Sequence, residues 1–311
     1  MESISAFDII KVGIGPSSSH TMGPWEAALA FCQSLKEENR LTDVVSVHID
    51  LYGSLAKTGK GHGTDFAVTL GLCGYDYRTF DTTSLDSVLA KIDTEKKLNL
   101  GGGHEIPFDN AIQFHFNYAH PEHPNGLSFT ARFEHGDPYR KTYFSLGGGF
   151  IKEEGIEVAA DSKSKSKLPC HDGDTILYNC QKLHMTVSQL VMLNESTWYS
   201  EDEIKQKALY LWNEMKDAIW RGSQRAGILP GILKVKRRAH EIFLKLTSGQ
   251  KIENIEECIS FLQHSKRDFN IVNKWVSVFA LAVNEENAAY GRIITAPTNG
   301  AAGVLPAVLM Y

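Results

Sequence analysis

The chain has 311 residues, of which 42% are hydrophobic and 22% charged, and it carries a formal net charge of -5. That length suits about two domains of ~150 residues each, and the acidic balance excludes the basic field that nucleic acid or an anionic membrane attracts. The opening residues from Met1 to Asp8 lack the basic and apolar regions of a secretory signal, and no apolar run approaches the ~18 residues of a membrane helix, so the expected compartment is the cytoplasm.

In chain order, a helix is predicted over residues 24–35, with Pro24 in the first turn, where a missing N–H costs nothing. Val45, Val47, Ile49 and Leu51 occupy alternate positions and read as the buried face of a strand. Helices follow over 64–72 and 85–92. Ile112, Phe114, Phe116 and Tyr118 give a second strand pattern, and Phe129, Ala131 and Phe133 a third. This alternation predicts a sandwich-like α/β domain over residues 1–152. Residues 152–167 are charged, low in complexity and free of aromatics, and they open a linker assigned to 153–182. The Lys/Ser repeat inside it reads as solvated rather than as a nucleic-acid patch.

From residue 183 to 311 the periodicity is helical. Ser200 and Glu203 form a capping box. Ile204, Ala208, Leu211, Met215 and Ile219 then mark one face, with Gly227 as a stop signal. Further helices are predicted over 237–246, 255–263 and 269–290, the last ended by Gly291. The expected fold class is α+β, an α/β domain followed by an all-α domain. Val304 opens an apolar segment that reaches Tyr311 with no polar cap, so the sequence reads as a fragment, incomplete at its C-terminus.

Five cysteines, Cys32, Cys73, Cys170, Cys180 and Cys258, are odd in number and irregularly spaced, which argues against a disulfide framework and fits a reducing compartment. No CxxC pair is present, so no self-contained zinc or cluster motif is visible.

Two motifs carry the chemistry. Pro16-Ser17-Ser18-Ser19-His20-Thr21 gathers four hydroxyls and an imidazole just before a helix, whose N-terminus favours carboxylates and phosphates. An N-cap with surplus serines is the alternative, but capping needs one hydroxyl and no histidine. Gly59-Lys60-Gly61-His62-Gly63-Thr64-Asp65 follows a strand and opens a helix; its alternating glycines read as a loop that lets backbone approach a ligand and leaves His62 unencumbered. A flexible turn with a solvated histidine is the alternative. The motif is not a phosphate-binding Walker loop, since Gly53 precedes Gly59 by six residues and Gly61 replaces the hydroxyl residue after Lys60. His123-Pro-Asn125-Gly126 reads as a turn. Ser145-Leu-Gly147-Gly-Gly-Phe150 offers backbone N–H groups to an anion or bends a sheet. Cys170 and His171, adjacent in sequence, do not define a metal site, and His104 and His240 are left as structural or surface residues.

Taken together, Gly15-Pro-Ser-Ser-Ser-His20-Thr-Met-Gly-Pro24, the run from Tyr52 to Asp65, His123–Gly126, Ser145–Phe150 and Thr295-Ala-Pro-Thr-Asn299-Gly-Ala-Ala-Gly303 resemble the motifs of the iron–sulfur-dependent L-serine dehydratases, in order and across nearly the whole chain. The resemblance implies an N-terminal domain similar to an allosteric substrate-binding domain, then a helical catalytic domain with a [4Fe–4S] cluster. It also implies a homodimer and conversion of L-serine to pyruvate and ammonia. The cluster cysteines are expected beyond Tyr311, with no metal ligand inside this chain, so this chain alone is expected to be inactive.

The chemistry of that reaction needs such parts. Hydroxide leaves poorly without a metal or proton donor, and a weakly acidic Cα–H needs a positioned base, for which a neutral histidine of pKa near ~6.5 is suited. His62 is the expected Cα base and His20 a second acid/base or orienting residue. Ser18, Ser19, Thr21, Gly61, Asn125, Ser145, Gly147 and Asn299 are expected to bind substrate. A pyridoxal-phosphate dehydratase is disfavoured because Ser54-Leu-Ala-Lys57-Thr-Gly lacks the arginine of that motif, and a self-cyclised Ala-Ser-Gly electrophile because the tripeptide is absent. The competing class is a non-enzymatic amino-acid-binding or regulatory module.

Overall fold

The computed structural model describes residues 4–156, 166–231, 233–265, 268–295 and 298–311. A one-turn helix α1 (Ala6–Ile9) and strand β1 (Lys11–Ile14) precede α2 (Gly23–Glu37), β2 (Val44–Tyr52), α3 (Gly53–His62), α4 (Thr64–Leu72) and α5 (Leu85–Glu95). A small antiparallel pair, β3 (Lys97–Leu100) and β4 (His104–Pro107), leads to β5 (Ile112–His115), β6 (Gly126–Phe133), β7 (Tyr139–Gly147) and β8 (Phe150–Glu153). The main sheet has the order β5-β2-β6-β7-β8, parallel only between β2 and β5.

Alternation along β2 and β6 sends Val47, Ile49, Leu51, Leu127, Phe129 and Ala131 into one core with Phe31 and Leu35 of α2. Phe31 stacks on Phe129 with ring centroids 5.0 Å apart, and each such buried ring contributes about 1.5–3 kcal/mol by removal from water. Two strand readings need correction. A bulge between Val44 and Ser46 gives Val44 the buried position and turns Val45 outward, 46% exposed. The second pattern stops at His115, because the chain turns away to reach β6 and leaves Phe116 and Tyr118 about half exposed.

The helical half contains α6 (Gly173–Leu183), α7 (Val187–Glu195), α8 (Glu201–Gln224), α9 (Ala239–Leu246), α10 (Ile255–Gln263), α11 (Phe269–Ala288) and α12 (Val304–Met310). Helix α6 lies inside the stretch read as linker; Asp172 caps it by accepting the N–H of Thr175. Residues 157–165, the heart of the Lys/Ser repeat, lie outside the described residues. The expected capping box at Ser200 and Glu203 is present. Ile204, Met215 and Ile219 are buried on α8, whereas Ala208 is exposed. Trp275, Val278, Phe279, Ala282 and Val283 of α11 form the centre of this second core.

The chain is α+β as expected, with an α/β region followed by a helical one, but the helical half also holds a strand. Residues Arg292–Thr295 form β9, which pairs antiparallel with β1 in the register Lys11↔Thr295 to Ile14↔Arg292. The helix expected to run to residue 290 and stop at Gly291 ends instead at Ala288, with Tyr290 in the left-handed conformation (φ +58°), and the β-branched Ile293, Ile294 and Thr295 bury on the pair. The Ser5 hydroxyl donates to the Glu195 carboxylate (2.6 Å), and the backbone N–H of Ala6 donates to it as well (2.7 Å). The first strand of the α/β region is therefore docked on the helical half, and the hydroxyl-rich segment that follows it lies at the seam.

Candidate active site

Ser17 opens the segment as an N-cap, its hydroxyl accepting the backbone N–H of His20 at 3.1 Å. Residues Ser18–Met22 form a single π-helical turn that runs directly into α2, with Pro24 in the first turn of that helix. A wide turn of this kind redirects side chains and recurs at functional positions. Ser18 is buried, Ser19 and His20 are half-buried, and Thr21 is fully buried.

His62 sits where the sequence suggested a loop, but residues 59–62 are the last turn of α3. Gly63 ends that helix in the left-handed conformation (φ +66°) and passes the chain into α4. Gly59 and Gly61 do not break the helix because packing overrides propensity: a Cβ on Gly59 would stand 2.9 Å from the Thr64 hydroxyl, so the small residue permits close approach.

The two motifs are tied to each other. The Thr21 hydroxyl donates to the His62 carbonyl (2.7 Å), and the Thr64 hydroxyl donates to the His20 carbonyl (2.6 Å). The imidazole rings stand 5.0 Å apart, centroid to centroid. His62 Nδ1 lies 2.9 Å from the Thr58 carbonyl, an acceptor only, so Nδ1 carries the proton of the neutral ring and Nε2 keeps its lone pair. His20 lies between hydroxyls, with Nδ1 2.9 Å from Ser19 Oγ and Nε2 2.9 Å from Ser54 Oγ. Burial lowers the His20 pKa below its ordinary value, and neighbouring His62 lowers it further, against a contact with the Ser54 backbone that raises it. A neutral His20 beside a basic His62 Nε2 is an arrangement that can accept a proton.

The remaining expected residues fall into two groups. Ser145 donates its hydroxyl to the Ser19 carbonyl (2.7 Å), and Gly23 makes room, since a Cβ there would stand 1.9 Å from Ser145 Oγ. Asn125 and Ser145 are bonded reciprocally, Ser145 N–H to the Asn125 carbonyl (3.0 Å) and Asn125 Nδ2 to the Ser145 carbonyl (3.2 Å). Gly147 (φ +92°) enters a hairpin between β7 and β8. Its turn residues Gly148 and Gly149 both have positive φ, so this stretch turns a sheet edge. Gly61 is exposed on α3 with open space where a Cβ would be. Buried Asn299, just after Ala296 and Pro297, which lie outside the described residues, accepts the Thr295 hydroxyl (2.7 Å) and donates to Asn287 Oδ1 (3.1 Å). Asn287 Nδ2 in turn donates to the Pro16 carbonyl (3.3 Å). Ser54, Thr58 and Asn287 were not among the expected residues; the spacing Ser54, Thr58, His62 at i, i+4 and i+8 is the signal that reading 53–62 as helix would have supplied.

The cysteines do not fit a cluster. Cys32, Cys73 and Cys258 are buried in the cores, where burial pushes their thiols up to about 12, about 11 and about 12 respectively. No group of three or more His, Cys, Asp or Glu among the described residues could hold a metal ion. A cavity of about 610 Å³ between α1, α6 and α7, lined by Ile9, Ile176, Val187, Leu190 and Trp198, touches neither histidine. No helix among the described residues is long and apolar enough to cross a membrane.

Comparison with known proteins agrees with this layout. The family model for the serine dehydratase beta chain matches residues 5–156, and that for the serine dehydratase alpha chain matches residues 182–311. The L-serine dehydratase of Streptomyces coelicolor is 43% identical over 315 residues, covering 99% of this chain and 66% of its own length. L-serine dehydratase 1 of Escherichia coli is 42% identical over 312 residues with the same shares, and the Helicobacter pylori L-serine dehydratase is 36% identical over 324 residues, covering 100% of this chain and 66% of its own length. The chain thus spans 66% of the length of these relatives. Two matching family models in sequence order, on a fold that brings both histidine motifs together, place this chain in the serine dehydratase family.

Proposed function

We propose that the protein to which this chain belongs is an L-serine ammonia-lyase, eliminating water from L-serine to give aminoacrylate, whose imine tautomer is hydrolysed by water to pyruvate and ammonia. The observation that carries the assignment is the hydrogen bond from His62 Nδ1 to the Thr58 carbonyl, which leaves Nε2 as the free base beside a neutral His20. In the reaction His62 Nε2 takes the Cα proton. The electron pair of that C–H bond forms the Cα=Cβ bond as the Cβ–O bond breaks, and proton and hydroxide depart together as water over the cycle. His20 orients the substrate through Ser19. Ser18, Ser19, Thr21, Gly61, Asn125, Ser145, Gly147 and Asn299 remain the candidate substrate shell, with Thr21, Asn125 and Asn299 supporting it through contacts already described.

Loss of hydroxide needs assistance, which the family resemblance assigns to a [4Fe–4S] cluster. The cysteines present here do not fit it, so no step is assigned to it; its ligands would belong to the third of the relatives' length outside this chain. A homodimer in the cytoplasm completes the reading, supported by the resemblance and by free thiols; sedimentation of the full-length protein checks the assembly. The names of the relatives favour the enzyme over an amino-acid-binding module.

The test is pyruvate formation from L-serine by full-length protein handled anaerobically, wild type against His62→Gln. Removal of a general base lowers kcat by about 10²–10⁴. Near-normal turnover by the variant overturns the base assignment, and serine binding without turnover by wild type overturns the reaction.

A further inference from the structure

Helix α3 ends at His62, and the last carbonyls of a helix have no partner inside it. The His62 carbonyl is taken by the hydroxyl of fully buried Thr21 (2.7 Å). The same Thr21 oxygen accepts the backbone N–H of Ser17 (3.3 Å). At the other end of that peptide unit, the Pro16 carbonyl accepts from Asn287 Nδ2 (3.3 Å). Asn287 Oδ1 accepts from Asn299 Nδ2 (3.1 Å), and Asn299 Oδ1 from the Thr295 hydroxyl (2.7 Å). Five hydrogen bonds therefore run in series from β9 in the helical half to the end of α3.

The sense of the series is fixed by its backbone members. A carbonyl only accepts, so the Pro16 carbonyl requires the amide nitrogen of Asn287. Asn287 then turns its oxygen to Asn299, which must answer with nitrogen and turn its own oxygen to Thr295, and the Thr295 hydroxyl donates. The Ser17 N–H only donates and the His62 carbonyl only accepts, so Thr21 accepts from one and donates to the other. Every intermediate group accepts on the β9 side and donates on the His62 side, and in such a series each bond polarises the next. The segment also lies tight against the end of α11. The Asn287 carbonyl would stand 1.9 Å from a Cβ on Gly15, and the Gly15 N–H donates to the Gly291 carbonyl (3.2 Å).

We propose that Asn287 is a positioning residue of this site: through the Pro16–Ser17 peptide and Thr21 it holds the backbone of His62, so that the helical half sets where the base stands relative to His20. Thr58 fixes the His62 ring from within α3, whereas Asn287 fixes the end of that helix from across the seam. The role rests on the reading of His62 as the Cα base.

The test is a double-substitution cycle in full-length protein handled anaerobically. Asn287→Leu, similar in size and uncharged, cuts the series in the middle, and Thr21→Val, equal in shape, cuts its last link. Each lowers kcat for L-serine about tenfold, the effect of roughly one lost hydrogen bond, with KM unchanged. Either cut releases the same carbonyl, so the double variant loses about tenfold rather than about a hundredfold. Thr21→Ser keeps the hydroxyl and recovers most of the wild-type kcat. Amide exchange in Asn287→Leu speeds up over residues 17–22 while β1 and β9 stay protected. An unchanged kcat in Asn287→Leu, or additive losses in the double variant, overturns the positioning role. Exchange that rises equally in β1 and β9 overturns it too, because the substitution has then opened the seam. If Asn287→Leu does not fold, Thr295→Val cuts the first link inside a strand that suits valine, with the same non-additive loss expected against Thr21→Val and additivity overturning the role. If wild-type protein makes no pyruvate, the reaction reading fails, while exchange over residues 17–22 still decides whether Asn287 holds the turn.

Discussion

His20 and His62 share a site but not a chemical situation. His62 is fixed by one acceptor and keeps a free Nε2, whereas both ring nitrogens of His20 are engaged. Burial and then His62 hold the His20 pKa below its ordinary value, and this has a consequence for stability. Between the folded and unfolded pKa values the unfolded chain binds more protons, so unfolding free energy rises with pH and levels off above about 6.5. Stability is accordingly full near neutrality and is lost as pH falls through that window. Urea unfolding of the chain from about pH 7.5 to about pH 5.5 is expected to show the slope, and His20→Gln, which keeps a polar side chain that cannot titrate, is expected to flatten it. An identical slope in both proteins would assign the effect to other groups.

At the scale of the element, glycine placement decides how closely the two motifs meet. In Gly23→Ala the new methyl would stand 1.9 Å from Ser145 Oγ and 2.7 Å from its Cβ. Either α2 or β7 must shift, and the Ser145-to-Ser19 hydrogen bond is lost. A core-overpacking cost of about 1–3 kcal/mol is expected, read as a lower melting temperature and a lower kcat/KM in full-length protein; an unchanged melting temperature refutes the contact. Gly61→Ala is predicted to do the opposite to stability. Its methyl meets nothing within 4 Å inside α3, so helix propensity gains about 0.5–1 kcal/mol. A fall in kcat/KM in that more stable variant would support Gly61 as a residue that substrate approaches; an unchanged kcat/KM removes it from the site. These glycines also explain what could be read from the sequence. Helices with clean apolar periodicity were legible, and α4 and α10 begin and end where expected. Residues 59–63 read as a loop because three alternating glycines lower helix propensity; Gly63 does end the helix, but the close approach of Gly59 to Thr64 shows why the helix survives through Gly59 and Gly61. Ser54 could be read only through its spacing with Thr58 and His62, which the loop reading of residues 59–63 hid, and Asn287 carried no signal, since a lone asparagine near the end of an apolar helix forms no pattern. Strand β9 is four residues long, and its partner lies some 280 positions earlier, so no local window could contain the pair.

At the scale of the whole molecule, the site depends on a seam that joins the two halves. On one side of it α11 places a fully buried carboxylate, Glu286, against Arg237 (3.1 Å), Arg225 (3.0 Å) and Arg221 (3.5 Å). The next residue, Asn287, bridges the Pro16 carbonyl and Asn299, and its own backbone carbonyl would lie 1.9 Å from a Cβ on Gly15. The β1–β9 pair and the Ser5–Glu195 bond extend the contact on either side. Charges of this kind add little when both partners are exposed, but Glu286 is fully buried, and removing one member leaves the others uncompensated. Glu286→Ala is therefore expected to cost about 3–5 kcal/mol. The manner of the loss matters more than its size. If the seam couples the halves, thermal unfolding is a single transition in wild type, and the variant moves that whole transition downward. Amide exchange of β1 and β9 would then follow the global unfolding free energy in both proteins. Two separate transitions in the variant, with the helical half melting first while the α/β core holds, would instead mean that the halves are stable independently and that the Pro16-to-Thr21 segment is organised by the α/β half alone.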